Sequence, residues 1–287
     1  MQTRRAFLRN SGLLLSATAL AGRSAFALTP VPLGVQLFTV RNQAARNLPK
    51  VLDQIHRIGY QTVETFAGDY NLSAASLRHT IHGAGLRAPS GHFNYDGFDT
   101  RFNYAKVLGL DWMVCPMIAP TLWGSPEGFK TAAKKFNEWG KKAKAQGMRF
   151  AFHNHDYEFR PMGNTNGYDI LINETDPELV FFEVDTYWVA QAGHDPLKLM
   201  KRLGPRLKML HLKDRKAGAP TSYDMGSDSA FFRPVGHGSL DWKAIMTEGE
   251  RLGVEHYFVE QDETRVPPVE AIRESFDYLE HLLYTNS

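Results

Sequence analysis

Acidic and histidine side chains follow four apolar segments of this chain, at positions where buried strands would end. A buried charge without a partner costs several kcal/mol, so these residues must find partners in the folded protein. Carboxylates and imidazoles that meet at one place suit Mn²⁺, Zn²⁺, Fe²⁺ or Co²⁺, and such a mixed ligand set does not choose among them. The four segments are MRFAFHNHDYEF (148–159), LVFFEVDTYW (179–188), LKMLHLKD (207–214) and YFVEQDE (257–263).

Side-chain alternation predicts which of these polar residues face the same way. Asp185 shares one face of its strand with Glu183, and His211 shares a face with Lys213. Taken singly, such residues are often helix caps, core histidines or salt-bridge partners. On consecutive strands of a barrel, however, Asp185, His211 and Glu260 would meet at the carboxyl end, which indicates a metal site.

Short apolar runs alternate with longer amphipathic stretches along the whole chain, which indicates βα units and a parallel sheet. Eight such units in about 260 residues predict an α/β fold with a single (β/α)8 TIM barrel. An open doubly wound sheet is the main competitor, but the turn after the first strand lacks its phosphate-binding glycines. Predicted strands are 33–40, 62–66, 86–92, 112–116, 150–153, 180–185, 208–212 and 257–260; predicted helices are 48–58, 76–82, 99–108, 126–146, 168–173, 196–203, 242–252 and 269–284.

The N-terminal residues predict an export signal that is not part of the fold. Two arginines at 4–5 precede a short apolar stretch at 12–21, and the Ala-Phe-Ala sequence at 25–27 is typical of a cleavage site. A membrane span needs about 20 apolar residues. We therefore expect residues 1–27 to be a twin-arginine signal peptide that engages the Tat export machinery. Residues 28–287 would then be one periplasmic barrel domain without a stable membrane span.

Composition argues against some partners and bonds. The chain has 33 Lys and Arg against 31 Asp and Glu, a net charge of +2 over 287 residues, with no basic stripe. This balance disfavours nucleic acid as a partner. The only cysteine, Cys115, excludes an intramolecular disulfide and is expected to be a small buried hydrophobic residue.

The motifs FHNHDYEF, EVDTYWVAQAGHDP, LHLKD and FVEQDE resemble those of the xylose-isomerase-like sugar phosphate isomerase/epimerase superfamily. Its members include ketose epimerases, inosose isomerases and dehydratases, hydroxypyruvate isomerases and apurinic endonucleases, and some relatives act on 3-keto-glycosides. The resemblance implies one divalent cation (Mn, Zn, Co, Fe or Mg) held by a Glu, an Asp, a His and a second Glu. Asp185, His211 and Glu260 match the last three ligands. Because related barrels often dimerise, the resemblance also implies a homodimer.

The first ligand position departs from this pattern, because His153 stands where relatives carry a glutamate. Either His153 binds the cation through a ring nitrogen, or Glu158 reaches back from the following loop. We expect Glu158, because it restores a carboxylate, and His153 and His155 would then line the substrate pocket. Without a carboxylate on strand five, proton exchange between two opposed carboxylates, as in metal-dependent epimerases, is in doubt.

Several further residues are expected to contact the substrate. Trp188 stands where endonucleases carry a zinc-binding histidine, so we expect no trinuclear site and predict that Trp188 stacks on a sugar, with simple packing as the alternative. Lys213 is expected either to stabilise an enolate or to pair with Glu183. The predicted substrate-binding residues are Glu64, His92, His155, Trp188 and His237, and the predicted catalytic residues are Glu158, Glu260, Lys213 and His153.

These residues together predict a metal-dependent isomerase or epimerase that acts on a non-phosphorylated sugar or keto-sugar through an enediolate. Glu260 or Glu158 would transfer the first proton, and a histidine or Lys213 the second. A lyase or hydratase acting on 3-keto-glycosides at the same metal site is one alternative. A non-catalytic periplasmic sugar-binding accessory protein is the other. Because phosphosugars are mainly cytosolic, the expected export argues against a phosphorylated substrate.

Overall fold

The computed structural model describes residues 31–66, 70–225 and 229–284. Within them, parallel strands close into a barrel in which each strand pairs with its neighbours in chain order and the last pairs with the first. The predicted single (β/α)8 barrel is therefore confirmed. The strands are β1 (Leu33–Gln36), β2 (Thr62–Thr65), β3 (Arg87–His92), β4 (Trp112–Cys115), β5 (Arg149–His153), β6 (Val180–Asp185), β7 (Leu207–Leu212) and β8 (His256–Val259).

Helices cover the outside of the barrel. Short antiparallel hairpins lie in the loops after β5 (Pro161–Met162 with Thr165–Asn166) and after β7 (Asp214–Arg215 with Phe232–Arg233). The helices are α1 (Arg41–Ile58), α2 (Ala74–Gly83), α3 (Phe102–Leu108), α4 (Pro126–Ala145), α5 (Gly167–Glu174), α6 (Thr186–Gln191), α7 (Pro196–Leu203), α8 (Trp242–Leu252) and α9 (Pro268–Tyr284).

The first βα unit differs most from its prediction. Strand β1 ends at Gln36, four residues early, because the Gln36 side chain accepts a hydrogen bond from the Phe38 N–H at 3.1 Å and starts a 3₁₀ turn. Helix α1 begins at Arg41 but is interrupted at Asn47, whose Oδ1 accepts the Lys50 N–H at 3.1 Å. This local cap precedes Pro49, so the predicted helix from residue 48 corresponds to the second half of α1.

The lower half of the barrel interior is apolar and filled. Trp112, Val114, Ala151, Met209 and Phe258 form a buried cluster inside the ring of strands. A side chain does not fit at Gly34 beside this layer, because a Cβ there would lie 2.4 Å from Thr62 Oγ1. Alternation then places polar side chains one or two pairs further along each strand, at the carboxyl end of the barrel.

Two predictions concern properties outside the barrel. The predicted signal peptide at 1–27 lies outside the described residues, so export, Tat recognition and a periplasmic location stay predictions. A homodimer likewise stays a prediction. Of the helices in the described ranges, none combines the length and apolar character that crossing a bilayer requires.

Candidate metal and substrate site

Four buried side chains converge at the carboxyl ends of neighbouring strands. His153 ends β5, Asp185 ends β6, His211 lies near the end of β7, and Glu260 directly follows β8. Each offers a ligand atom, and these atoms all lie within 4.8 Å of one another. We call these four residues the outer group.

A second group lies one layer deeper and shares two of these histidines. Oε2 of Glu183 lies 2.8 Å from His92 Nε2, 3.1 Å from His153 Nδ1 and 3.2 Å from His211 Nε2. Glu183 is the neighbour of His153 across the β5–β6 pair. We call His92, His153, Glu183 and His211 the inner group, whose ligand atoms also lie within 4.8 Å of one another.

The two groups are alternative places for one cation. A neutral imidazole has one nitrogen lone pair, so His153 and His211 can each serve only one ion. The outer group supplies two carboxylates against one in the inner group. The larger negative charge therefore favours the outer group as the place for a cation.

The outer group fits a divalent cation by its chemistry. Two imidazole nitrogens and two carboxylates form a donor set suited to Mn²⁺, Fe²⁺, Co²⁺ or Zn²⁺. Asp185 Oδ2 is buried and has no hydrogen-bond donor of ordinary geometry, although Lys213 Nζ lies 2.9 Å away. The other oxygen of Asp185 accepts the Trp188 N–H at 3.0 Å and caps α6, which fixes the carboxylate.

Lys213 balances the negative charge beside the outer group. Its Nζ lies 2.9 Å from Asp185 Oδ2, 2.7 Å from Glu260 Oε2 and 2.6 Å from Asp262 Oδ2, and its side chain is fully buried. Burial alone would lower the pKa of Lys213, but Asp185 and the other carboxylates raise it well above its usual value. The alternative pairing of Lys213 with Glu183 does not occur, because Lys213 lies one layer further out.

The inner group contains an ionised carboxylate, Glu183, next to a protonated imidazole, His92. Burial and Glu64 oppose ionisation of Glu183, yet the histidines lower the pKa of Glu183 to about 2. Conversely, burial disfavours charged His92, but Glu64 and Glu183 raise the pKa of His92 to about 9. Burial and the His211 charge lower the pKa of His153 well below its usual value, so its imidazole is neutral.

A cavity of about 430 Å³ opens above the outer group. Its lining includes four Phe or Trp side chains and two Met side chains, and Phe38 meets Phe66 edge-on with ring centroids 5.5 Å apart. Of the predicted site residues, His92, His153, His155, Trp188 and Glu260 line it. The remaining lining residues are Phe38, Arg41, Phe66, Asn94, Pro116, Met117, Met225, Phe232, Asp262 and Glu263.

The structure does not bring Glu158 into either group. Both oxygens of its carboxylate accept the N–H of His155, at 3.1 and 3.0 Å, because a short 3₁₀ turn at Tyr157–Phe159 folds Glu158 back onto its own loop. The expectation that Glu158 restores the first ligand, and acts in catalysis, therefore does not match the geometry. His153 lies at that position instead.

Burial raises the pKa of Glu158 from 4.5 to about 8, against the effect of the His155 N–H. Between pH 4.5 and about 8, this carboxyl is protonated in the folded chain and ionised in the unfolded chain. The free energy of unfolding therefore falls as pH rises, by up to about 1.4 kcal/mol per pH unit. We expect Glu158→Gln to gain stability relative to the wild type from pH 5 to 8, measured by urea unfolding. The exposed Glu178→Gln control should run parallel to the wild type; a parallel Glu158→Gln curve would contradict the assignment.

Two other predicted substrate contacts lie away from the cavity. His237 is exposed and borders a separate surface depression with Arg233 and Gln261. Its loop bends away because the buried Asp214 carboxylate accepts backbone N–H groups at 236, 238, 239 and 240. Glu64 is fully buried beneath His92 and His211 and is not part of the cavity wall.

Three residues of the site were missing from the predicted set. Glu183 was placed on the face of Asp185 by strand alternation, which was the available signal. Asp262 follows Glu260 at a spacing of two, so the same alternation would have found it. Gln36 donates from Nε2–H to Glu64 Oε2 at 2.7 Å. It was missed because the first strand was predicted to continue past it.

The fold agrees with a comparison to protein families. A family model described as a xylose isomerase-like TIM barrel matches residues 34–282. The chain belongs to this family. The predicted superfamily is thereby confirmed.

Known members of the xylose isomerase-like family differ in reaction. The present chain is 29% identical over 168 residues to an inosose dehydratase of Clostridium tetani (strain Massachusetts / E88). This match covers 54% of each chain. The chain thus spans about half the length of the curated relatives it matches.

Solved structures are similar to this chain over most of its length. A sugar phosphate isomerase/epimerase from Parabacteroides distasonis ATCC 8503 superposes with a TM-score of 0.73 at 20% identity, covering 86% of this chain and 97% of the other. The IOLI protein, whose structure has a bound zinc atom, gives a TM-score of 0.68 at 15% identity, with 90% and 99% covered. At these identities the likeness concerns the fold.

Proposed function

We propose that this protein is a metal-dependent lyase that eliminates water or an alcohol from a non-phosphorylated keto-sugar, such as a 3-keto-glycoside. One observation carries the proposal. The buried outer group, which could bind a cation, lies beside the ion pair of Lys213 and Asp262 at the wall of a cavity large enough for a sugar. The matches to inosose dehydratases support elimination over the isomerase or epimerase reading that the sequence alone favours.

The cation would be held by His153, Asp185, His211 and Glu260. When bound, a divalent ion there supplies Lewis-acid stabilisation for the negative charge that develops on a ketone oxygen as the neighbouring carbon loses a proton. The two imidazoles and two carboxylates would hold the cation among buried side chains, where electrostatic stabilisation is stronger than in water.

Elimination needs a base and an acid, and Asp262 with Lys213 meets both needs. Asp262 lies on the cavity wall, and burial and Glu260 raise its pKa, opposed by Lys213. The Asp262 carboxylate takes the proton from the carbon beside the ketone. The Lys213 ammonium gives a proton to the leaving oxygen as the carbon–oxygen bond breaks.

The same pair restores itself after one turnover. Elimination leaves Asp262 protonated and Lys213 neutral, with Oδ2 and Nζ 2.6 Å apart. One proton then passes directly from the carboxyl group to the amine, and both groups regain their starting charges. No proton from bulk water is required for the cycle to close.

The cavity suits a neutral sugar with an apolar portion. Two cationic side chains, His92 and Arg41, are among the described residues that line it. His92 lies 2.8 Å from Glu183, and Arg41 donates to Glu263 at 2.8 Å and to the carbonyl oxygens of Phe38 and Asp262 at 2.9 and 2.8 Å. Because Glu260, Asp262 and Glu263 also make the wall acidic, a phosphate group would meet repulsion and find no uncommitted cationic side chain.

The isomerase or epimerase reading remains the second candidate. It shares the loss of a proton beside a ketone, but metal-dependent epimerisation places carboxylates on both faces of one carbon. His153 occupies the position of one of them, which is why elimination takes precedence. A non-catalytic sugar-binding protein would retain the cavity aromatics without needing the cation.

The test uses purified protein, stripped of metal and then reloaded with Mn²⁺, Co²⁺ or Zn²⁺. It is incubated in D₂O with an inosose, a 3-keto-glucoside and an unoxidised ketohexose, and products are followed by mass spectrometry and NMR. We expect metal-dependent loss of water or aglycone from a keto-sugar. Deuterium incorporation with an isomeric product would instead support the epimerase reading, and binding without conversion would support the binding protein.

A further inference from the structure

In both His153 and His211, one ring nitrogen faces the inner group and the other faces the outer group. His153 Nδ1 lies 3.1 Å from Glu183 Oε2, whereas its Nε2 lies 4.0 Å from Asp185 Oδ2. His211 Nε2 lies 3.2 Å from Glu183 Oε2 and 2.7 Å from Glu64 Oε2, whereas its Nδ1 lies 2.9 Å from Glu260 Oε2. Each ring therefore presents one nitrogen inward to buried glutamates and the other outward to the outer carboxylates.

This division has a consequence for the cation. A ring nitrogen that carries a proton cannot bind a metal, and the nitrogen that keeps the proton is the one with a hydrogen-bond acceptor. Glu183 accepts a hydrogen bond from Nδ1 of His153 at 3.1 Å, which leaves Nε2 of His153 with a lone pair that faces Asp185. His211 differs, because its Nε2 is hydrogen-bonded to Glu64 at 2.7 Å and its Nδ1 to Glu260 at 2.9 Å.

We propose that Glu183 is a positioning residue that fixes the tautomer and orientation of His153 for metal binding. This inference rests on the proposed metal site of the outer group. Carboxylates behind ligating histidines orient the rings and increase their basicity.

The surroundings of Glu183 are built for this role. The residue is fully buried, and its Oε2 is enclosed by His92, His153 and His211. His92 stacks on His211 with ring centroids 5.3 Å apart and an interplanar angle of 6°, which holds the His211 ring from one side. A second acceptor for His211 comes from Glu64, whose own oxygens are held by Gln36 and Ser90.

The test compares Glu183→Gln with a control that loses buried polar contacts elsewhere. Thr175→Val removes a hydroxyl that donates to the Leu171 carbonyl and accepts from Arg206 at 2.5 Å, far from the cavity. Circular dichroism first establishes that both variants are folded. Metal affinity is then measured by chelator competition, and the Co²⁺-substituted proteins are compared by visible absorption spectroscopy.

We expect Glu183→Gln to bind metal about 10–100-fold more weakly and to show a shifted Co²⁺ spectrum, while Thr175→Val matches the wild type in both. Wild-type affinity and spectrum in Glu183→Gln would overturn the inference while leaving the proposed site intact. Two ions per wild-type chain, one of them lost in Glu183→Gln, would instead make the inner group a metal site and also overturn it. A wild type that binds no ion would overturn the proposed function itself.

Discussion

Replacing Asp185 with asparagine should weaken metal binding by more than about 100-fold and abolish turnover, while the protein still folds. Carboxylates that only support a ligand cost about 10–100-fold in affinity when changed, so loss of a direct ligand should cost more. Asn is as good a helix cap as Asp, so the hydrogen bond from the Trp188 N–H to residue 185 can persist. Isothermal titration with Zn²⁺ or Mn²⁺ and the elimination assay measure the two effects.

Asp195→Asn is the matched control for this substitution. Asp195 also caps a helix, accepting the Leu197 N–H at 2.9 Å, but it is exposed and lies outside the cavity wall. Its asparagine variant should bind metal and turn over substrate like the wild type. Unchanged metal affinity in Asp185→Asn would remove Asp185 from the site and with it the outer group as described.

Replacing Lys213 with methionine should make the stability of the protein depend on metal. In the metal-free chain the ammonium is the counter-charge of Asp185, Glu260 and Asp262, and removing one partner of a buried ion pair costs about 3–5 kcal/mol. An added divalent ion replaces the lost positive charge next to the same oxygens. We therefore expect a lower free energy of unfolding without metal and a larger rise in Tm on metal addition than in the wild type.

Lys208→Met controls for the loss of a lysine, because Lys208 lies on β7 and Lys213 directly follows this strand. Lys208 lies on the opposite face of β7 and pairs with Glu255 at 3.4 Å near the surface, an interaction worth about 1 kcal/mol or less. Its stability should respond to metal as the wild type does. If metal-free Lys213→Met were as stable as Lys208→Met, Lys213 would not carry the charge balance of the site. Activity should also fall about 10²–10⁴-fold in Lys213→Met alone, because the acid is lost.

The barrel was predictable because its signals are local and repeated. Strand and helix periods alternate along the chain, and glycines such as Gly59, the cap of α1, end helices where the pattern stops. Short-range hydrogen bonds from side chains to the backbone explain the main misses. Gln36 ends β1 through its own side chain, and the short helix α6 forms because Asp185 caps it, although nothing in its composition separates it from the following loop.

The sequence predicts the end of the barrel at which the site lies, but not which side chains contact one another there. Side-chain alternation on single strands places Asp185 and His211 at the carboxyl end of the barrel without any knowledge of neighbouring strands. The choice between His153 and Glu158 depends on the turn after β5, where Glu158 folds onto the N–H of His155. The role of Glu183 depends on the register of β5 against β6, which pairs it with His153 and which no spacing in the sequence records.

Metal content by elemental mass spectrometry tests the central claim most directly, on the wild type beside His153→Ala and Glu158→Ala after metal supplementation. The outer group predicts about one divalent ion per chain in the wild type and in Glu158→Ala, and loss of that ion in His153→Ala. A wild type without metal would contradict the cation-dependent lyase. Metal retained by His153→Ala but lost from Glu158→Ala would show that a carboxylate from the loop, and not the imidazole, completes the site.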